Sequence, residues 1–265
     1  MQRRARKRLG YALAALTGLG VVWGVNQPMP YVILEPGPAY NVISEIDGSI
    51  ELSVTGVEQA DNPGTLDMLT VSFWGTPESP PKFVDVMAAL FSDEKVIEPM
   101  EDYFPIGQNT DDVLKADRKD FTDSIDAAIY VAKQHLEPSI ANKMKVTLNL
   151  DEVGGPSAGM MLTLGIIEKA STASLTGGKY IAGTGTIDRD GKVGPIGGIQ
   201  FKMISAKRAG DNFFLAPREN CYEVVGHIPA GLRVFSVETI EDALNILKVI
   251  ASDGDTGKLP VCTDE

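Results

Sequence analysis

Residues 145–169, KVTLNLDEVGGPSAGMMLTLGIIEK, decide the fold. Lys145 to Leu150 alternates apolar Val146, Leu148 and Leu150 with polar Thr147 and Asn149, the period-two pattern of a half-buried strand. Gly154, Gly155 and Pro156 predict a bend, and Met160 to Ile167 is apolar nearly all round, as in a helix buried within a domain. Ser157 therefore stands where a strand turns into a buried helix, among small residues that let another backbone approach. The first amides of such a helix lack internal partners and can stabilise negative charge developing on a substrate oxygen. The same residues also read as a glycine-rich turn before a core helix, with Ser157 as its cap.

A second stretch separates the two readings. Between Gly194 and Gly210, GPIGGIQFKMISAKRAG, a Pro/Gly loop leads into a helix whose apolar face carries Ile199, Met203, Ala206 and Gly210. At about 100° per residue Lys202 falls on the edge of that face, whereas Lys207 and Arg208 point away. Partial loss of water lowers a lysine's pKa, so that its neutral amine can take a proton from a serine hydroxyl.

GGPSAGMML around Ser157, followed by GTGTIDRDGKVGPIGGIQFKMISAKRAG around Lys202, resembles the proteolytic domain of the Lon family of serine proteases. The resemblance implies an α/β (α+β) fold with mixed sheets and packed helices. It also implies Ser157 as nucleophile, Lys202 as general base, and Thr184 as the threonine that hydrogen-bonds near the lysine. Amides of the bend that holds Gly155, Pro156, Ser157 and Ala158 would supply the oxyanion site. Protein or peptide substrates and a homo-oligomeric ring are further expectations from the resemblance.

The chain's 265 residues can bury one sizeable core, and its net charge is −12. Residues 1–27 hold five basic and no acidic residues, leaving 19 basic against 36 acidic in the remainder. So acidic a body is a poor partner for nucleic acid. The chain begins MQRRARKR, and Leu9 to Val25 is an uncharged run of 17 residues, at the short end of what spans a bilayer. Arg3, Arg4, Arg6, Lys7 and Arg8 would keep the N-terminus in the cytoplasm and put the rest outside, with Trp23 at the outer interface. A cleaved signal peptide has the same regions. The small-x-small pairs lie inside the apolar run rather than after it, which favours an uncleaved anchor over residues 1–27.

Residues 28–63 read as an extended connector with short strands, since Asn26 to Tyr40 holds four prolines around an apolar run. Strands are predicted over Ser49 to Val54 and Leu66 to Trp74. The proteolytic domain would cover 64–250, with an insertion near 78–112 in which Phe83 to Phe91 could form an amphipathic helix. Membrane-anchored, ATP-independent Lon-like proteins usually carry a PDZ domain before the serine motif. The glycine-rich carboxylate loop of such a domain is not found here. Phe121, Ile125, Ala128, Ile129, Ala132 and Leu136 predict a helix over Arg118 to Leu136. A strand over Tyr180 to Ile187, a hairpin turn at Asp188-Arg189-Asp190-Gly191, strands over Asn212 to Ala216 and Leu232 to Val237, and a helix over Val237 to Ile250 complete the domain. Ser252 to Glu265 reads as a mobile polar tail.

Two histidines and two cysteines without close spacing give no zinc site, and no cofactor is implied. Asp188 and Asp190 do not open a calcium loop, because the twelfth position is Ile199. Cys221 and Cys262 could pair in an oxidising compartment. The absence of GxxxxGK followed by Ser or Thr points to proteolysis without nucleotide. Gly154 stands where many ATP-dependent members have an acidic residue. One rival is an α/β-hydrolase elbow, since Gly155-Pro156-Ser157-Ala158-Gly159 satisfies GxSxG, with His227 as the only downstream histidine candidate. Another is a tethered scaffold without turnover.

Overall fold

A computed structural model describes residues 2–44, 51–58, 64–149 and 154–263; for residues 2–10, 51 and 149 it describes the backbone alone. In chain order the elements are α1 (Gln2–Val25), β1 (Tyr31–Asn41), β2 (Glu51–Thr55), β3 (Thr65–Trp74), α2 (Phe83–Leu90), β4 (Val96–Pro99), α3 (Met100–Tyr103), α4 (Thr110–Gln134), α5 (Pro138–Ala141) and β5 (Lys145–Asn149). They continue with α6 (Gly159–Lys169), β6 (Tyr180–Gly183), β7 (Thr186–Ile187), β8 (Val193–Gly194), α7 (Ile199–Ala209), β9 (Phe213–Pro217), α8 (Cys221–Val224), β10 (Arg233–Val237) and α9 (Ile240–Ala251). The chain divides into two units, one formed by Met1–Glu35 with Ser72–Val113, the other by Pro36–Val71 with Leu114–Glu265.

The larger unit is built on a parallel ladder. Leu66 of β3 lies opposite Ile181 of β6, Ala182 of β6 opposite Phe214 of β9, and Phe214 opposite Val234 of β10. Such strands are near-continuous apolar runs because both faces are covered. Leu66, Met68, Ile181, Leu215 and Phe235 point into a core shared with Met160, Met161 and Leu164 of α6 and Leu247 of α9. Their neighbours Leu69, Ala182, Phe214, Ala216 and Val234 point the other way, onto Ile199, Met203 and Ala206 of α7. Helices α6 and α7 thus lie on opposite faces of one sheet. Strand β5 pairs antiparallel with β2, Leu148 opposite Leu52 and Val146 opposite Val54. Leu150, which the sequence also assigns to that strand, and Ser49 and Ile50 of the other lie outside the described residues.

The smaller unit pairs β4 antiparallel with the start of β1, Leu34 opposite Val96. Lys95 and Glu35 are bridged at 2.7 Å, and Phe73 meets Phe104 edge-on. The segment 78–112, in which the helix expected over Phe83 to Phe91 forms as α2, belongs with the N-terminal residues in this unit.

Helix α1 forms over the basic and apolar N-terminal segment, and its uncharged run, Leu9–Val25, rises about 26 Å against a hydrocarbon core of about 30 Å. Among the described residues no helix is long and apolar enough to cross a membrane. Leu9 and Gly10, with which the expected span begins, lie outside the residues whose side chains are described.

Three expectations need correction. The helix read from Arg118 starts at Thr110, where Asp111 and Asp112 suit its positive end. The strand read over Tyr180 to Ile187 breaks after Gly183, and Thr186–Ile187 pairs with Val193–Gly194 across the turn closed by Gly191, whose φ is 80°. The C-terminal tail is held as far as Cys262: that residue is disulfide-bonded to Cys221, and the Ser236 amide donates to the Pro260 carbonyl at 3.0 Å.

Candidate active site

Ser157 sits in a single 3₁₀ turn, Pro156–Ala158, that feeds α6, and Gly155 before it has a φ of 79°. Lys202 lies in the first turn of α7, after Gly198. The two helices start on opposite faces of the sheet, and their N-terminal ends converge just past the carboxyl end of β6, where the chain continues through Thr184 and Gly185. Ligand sites of open α/β sheets gather at this end. Lys202 Nζ lies 2.9 Å from Ser157 Oγ and 3.0 Å from Thr184 Oγ1.

The turn is fixed from three sides. The Thr184 hydroxyl donates to the Ser157 carbonyl at 3.1 Å, and the Gly185 amide donates to the same oxygen at 2.9 Å. The Met160 amide returns a bond to the Gly185 carbonyl at 3.0 Å. Gly159 lets the helix come this close: a Cβ there would stand 2.7 Å from Ile187 Cγ2 and 2.9 Å from the Ile187 amide nitrogen.

These bonds also set the direction of the proton. The Thr184 hydrogen is given to the Ser157 carbonyl, so Thr184 Oγ1 accepts from Lys202. A neutral lysine then has its lone pair free for the Ser157 hydroxyl. The side chain is 3% exposed, and burial lowers its pKa from 10.5 to about 7. Ser157 itself is half-buried, and Gly154 and Pro156 beside it are exposed, so the hydroxyl is open to a substrate while the amine behind it is not.

The oxyanion expectation narrows. Gly155 donates its amide to the Asp117 carbonyl at 2.9 Å, and Pro156 has no N–H. Ser157 and Ala158 carry the next amides in line, ahead of α6. Two residues of α4 that the sequence gave no reason to single out support the turn: Asp117 through that carbonyl, and Ser124, whose hydroxyl donates to the Pro156 carbonyl at 3.2 Å. Burial raises the pKa of Asp117. His227 is exposed, with Nδ1 3.2 Å from its own neighbour's carbonyl at Val225. The side-chain nitrogen beside Ser157 Oγ is that of Lys202.

A second buried polar group lies at the other end of α7. Asp211 (1% exposed) and Asp67 of β3 (7% exposed) are close enough for Asp67 to raise the Asp211 pKa. Burial comes first in both shifts, to about 8 for Asp211 and about 6 for Asp67. Asp67 Oδ1 and Asp211 Oδ2 have no hydrogen-bond partner among the described residues.

Comparison with known proteins places the chain in a family context. The family described as Lon protease (S16) C-terminal proteolytic domain matches residues 103–250, more than half of the chain. Similar proteins include the Lon protease of Campylobacter concisus, 38% identical over 95 residues, which are 34% of this chain and 11% of that protein. The mitochondrial Lon protease homolog of Bos taurus is 36% identical over 95 residues, 35% of this chain and 10% of the other. The Lon protease of Azospirillum brasilense is 29% identical over 116 residues, 41% and 14%. The chain therefore matches about a seventh or less of the length of these relatives.

Proposed function

Since this chain belongs to the family of Lon protease (S16) C-terminal proteolytic domains, we propose that it is a serine endopeptidase working through a Ser157–Lys202 dyad. The observation that carries the proposal is a buried amine 2.9 Å from the serine hydroxyl, with a pKa near 7. Roughly half of such amines are neutral at pH 7, against about one in a thousand or fewer for an ordinary lysine.

In the reaction, neutral Lys202 accepts the Ser157 proton as Oγ attacks the scissile carbonyl. The oxygen, now negative, is held by the Ser157 and Ala158 amides, and the positive ends of α6 and α7 favour that charge. The lysine, now an ammonium, gives its proton to the leaving amine, which departs and leaves an acyl-enzyme. Water repeats the sequence, with Lys202 as base, and frees the second product. Thr184 is a positioning residue: its Oγ1 holds the amine, and its proton anchors the Ser157 carbonyl.

The substrates in this reading are exported or misfolded polypeptides, cleaved without nucleotide. The domain is held at a membrane through residues 9–25 and lies on the extracytoplasmic side. Support comes from the five basic residues before the apolar run, from the exposed Leu13, Leu16, Leu19, Val21 and Val22 of α1, and from a disulfide that suits an oxidising compartment. Assembly into a homo-oligomeric ring is part of the same proposal.

Covalent labelling by a serine-reactive probe tests the dyad. Lys202→Ala should abolish labelling of Ser157, and His227→Ala should leave it intact. The opposite pattern would favour the hydrolase elbow. A wild-type protein that is never labelled would favour a scaffold.

A further inference from the structure

Helix α2 presents an apolar face to solvent. At about 100° per residue, Leu90, Phe83, Met87, Phe91 and Val84 fall within an arc of roughly 120°, and no charged side chain of the helix lies in it. Phe91 is 85% exposed, Leu90 62%, Val84 46% and Phe83 40%. Val86 and Ala89, outside that arc, are the buried residues of the helix, and the arc is a second apolar face left largely exposed among the described residues. A helix of this pattern ordinarily turns its apolar stripe to a core and its charges to water; the inverse marks an interaction surface.

What covers it follows from where it is tied. The Phe83 amide donates to the Gln27 carbonyl at 2.8 Å, the Met29 amide donates to the Pro81 carbonyl at 2.8 Å, and Pro28 and Lys82 form a bridge. The first residue of α2 is thus fastened two residues past the end of α1, next to the exposed Trp23 of its last turn. Both helices belong to the smaller unit. The start of α2 is therefore held beside the apolar C-terminal end of α1, so a surface that receives that end comes close to α2. Resting on the reading of residues 9–25 as a membrane attachment, we infer that α2 lies in the headgroup–acyl boundary of the same bilayer, with Phe83, Val84, Leu90 and Phe91 inserted and Asp85 turned to water.

The chain beyond residue 27 has 36 acidic against 19 basic residues, so attraction to anionic lipid does not hold the face down. Contact is apolar, and it should form on zwitterionic lipid and resist salt. It would orient the smaller unit on the membrane rather than leave it swinging from α1.

The test uses the full chain with Phe91→Cys carrying an environment-sensitive fluorophore, in phosphatidylcholine vesicles that include a lipid with a nitroxide high on its acyl chain. The expected result is a blue-shifted label that loses emission to the nitroxide at low and high salt, and recovers it when Val84→Glu and Leu90→Glu are added. A parallel alkaline wash reads attachment through α1 separately. Protein that stays with the vesicles while the label is unquenched overturns the inference and leaves the attachment standing. Protein that washes off with an unquenched label overturns both. Self-quenching between labels without lipid quenching would assign the face to a second copy of the chain and overturn the lipid contact.

Discussion

The two ends of α7 bury opposite charges and treat them differently. At its start Lys202 is held by two hydroxyls, and burial brings its amine to a pKa of about 7. Just past its end Asp211 is buried beside Asp67, and each carboxyl has an oxygen without a partner among the described residues. Burial pushes the groups at both ends toward their neutral forms, as it does for either sign of charge. The difference lies in the partners. The lysine's neighbours can use a neutral amine, whereas the acids' neighbours offer little beyond Thr65, whose hydroxyl lies 3.4 Å from Asp211 Oδ1. One end is equipped for chemistry, and the other is a cost the fold carries.

The comparison predicts effects of falling size. Lys202→Ala should lower peptide hydrolysis by about a thousandfold or more, because it removes the proposed proton acceptor, with the fold retained by circular dichroism. Thr184→Val keeps the shape but deletes the hydroxyl that orients the amine; kcat should fall by roughly thirtyfold, about 2 kcal/mol, with KM nearly unchanged. At the acidic end activity should be insensitive and stability should respond. The folded-state pKa values of Asp211 and Asp67 are raised, so the folded chain binds more protons than the unfolded one between about pH 4 and pH 8. Their contribution to stability is therefore complete below pH 4 and is lost as pH rises through 6 and then 8. Asp211→Asn should stabilise the protein above pH 8 by about 2 kcal/mol, and Asp67→Asn by about 1 kcal/mol, both read from urea unfolding midpoints. An Asp211→Asn variant that is less stable at pH 9 would break the comparison, since the acid would then be better partnered than described.

Lys202 gives the opposite slope. Its pKa is lowered on folding, so stability rises as pH climbs from about 7 to 10.5, where the unfolded lysine also loses its proton.

The lysine end of α7 was legible in the sequence, and the acid end was not. Lys202 lies near the apolar stripe by periodicity, and GGPSAG and PIGG name the two turns that meet. Asp67 sits between Leu66 and Met68 and reads as the outward residue of an alternating strand. In the folded chain α7 covers that outward face, which periodicity cannot show. The contacts that fix the serine turn were hidden for a related reason. Asp117 uses its backbone carbonyl, and any residue type would offer the same group. The break after Gly183 lies in an uninterrupted run of small and apolar residues, and only the turn toward Ser157 requires it. The tail reads as mobile from its polarity, yet the pairing of Cys262 with Cys221, 41 residues earlier, which the sequence left open, ties it down.

The central claim is that Lys202 is a neutral amine near physiological pH because it is buried. The rate at which a serine-reactive probe acylates Ser157, followed from pH 5 to 11 in the His227→Ala background, tests this most directly. The account predicts a single rise with its midpoint near pH 7 and a plateau beyond. A rate that climbs only above pH 10, as for a lysine in water, would contradict it.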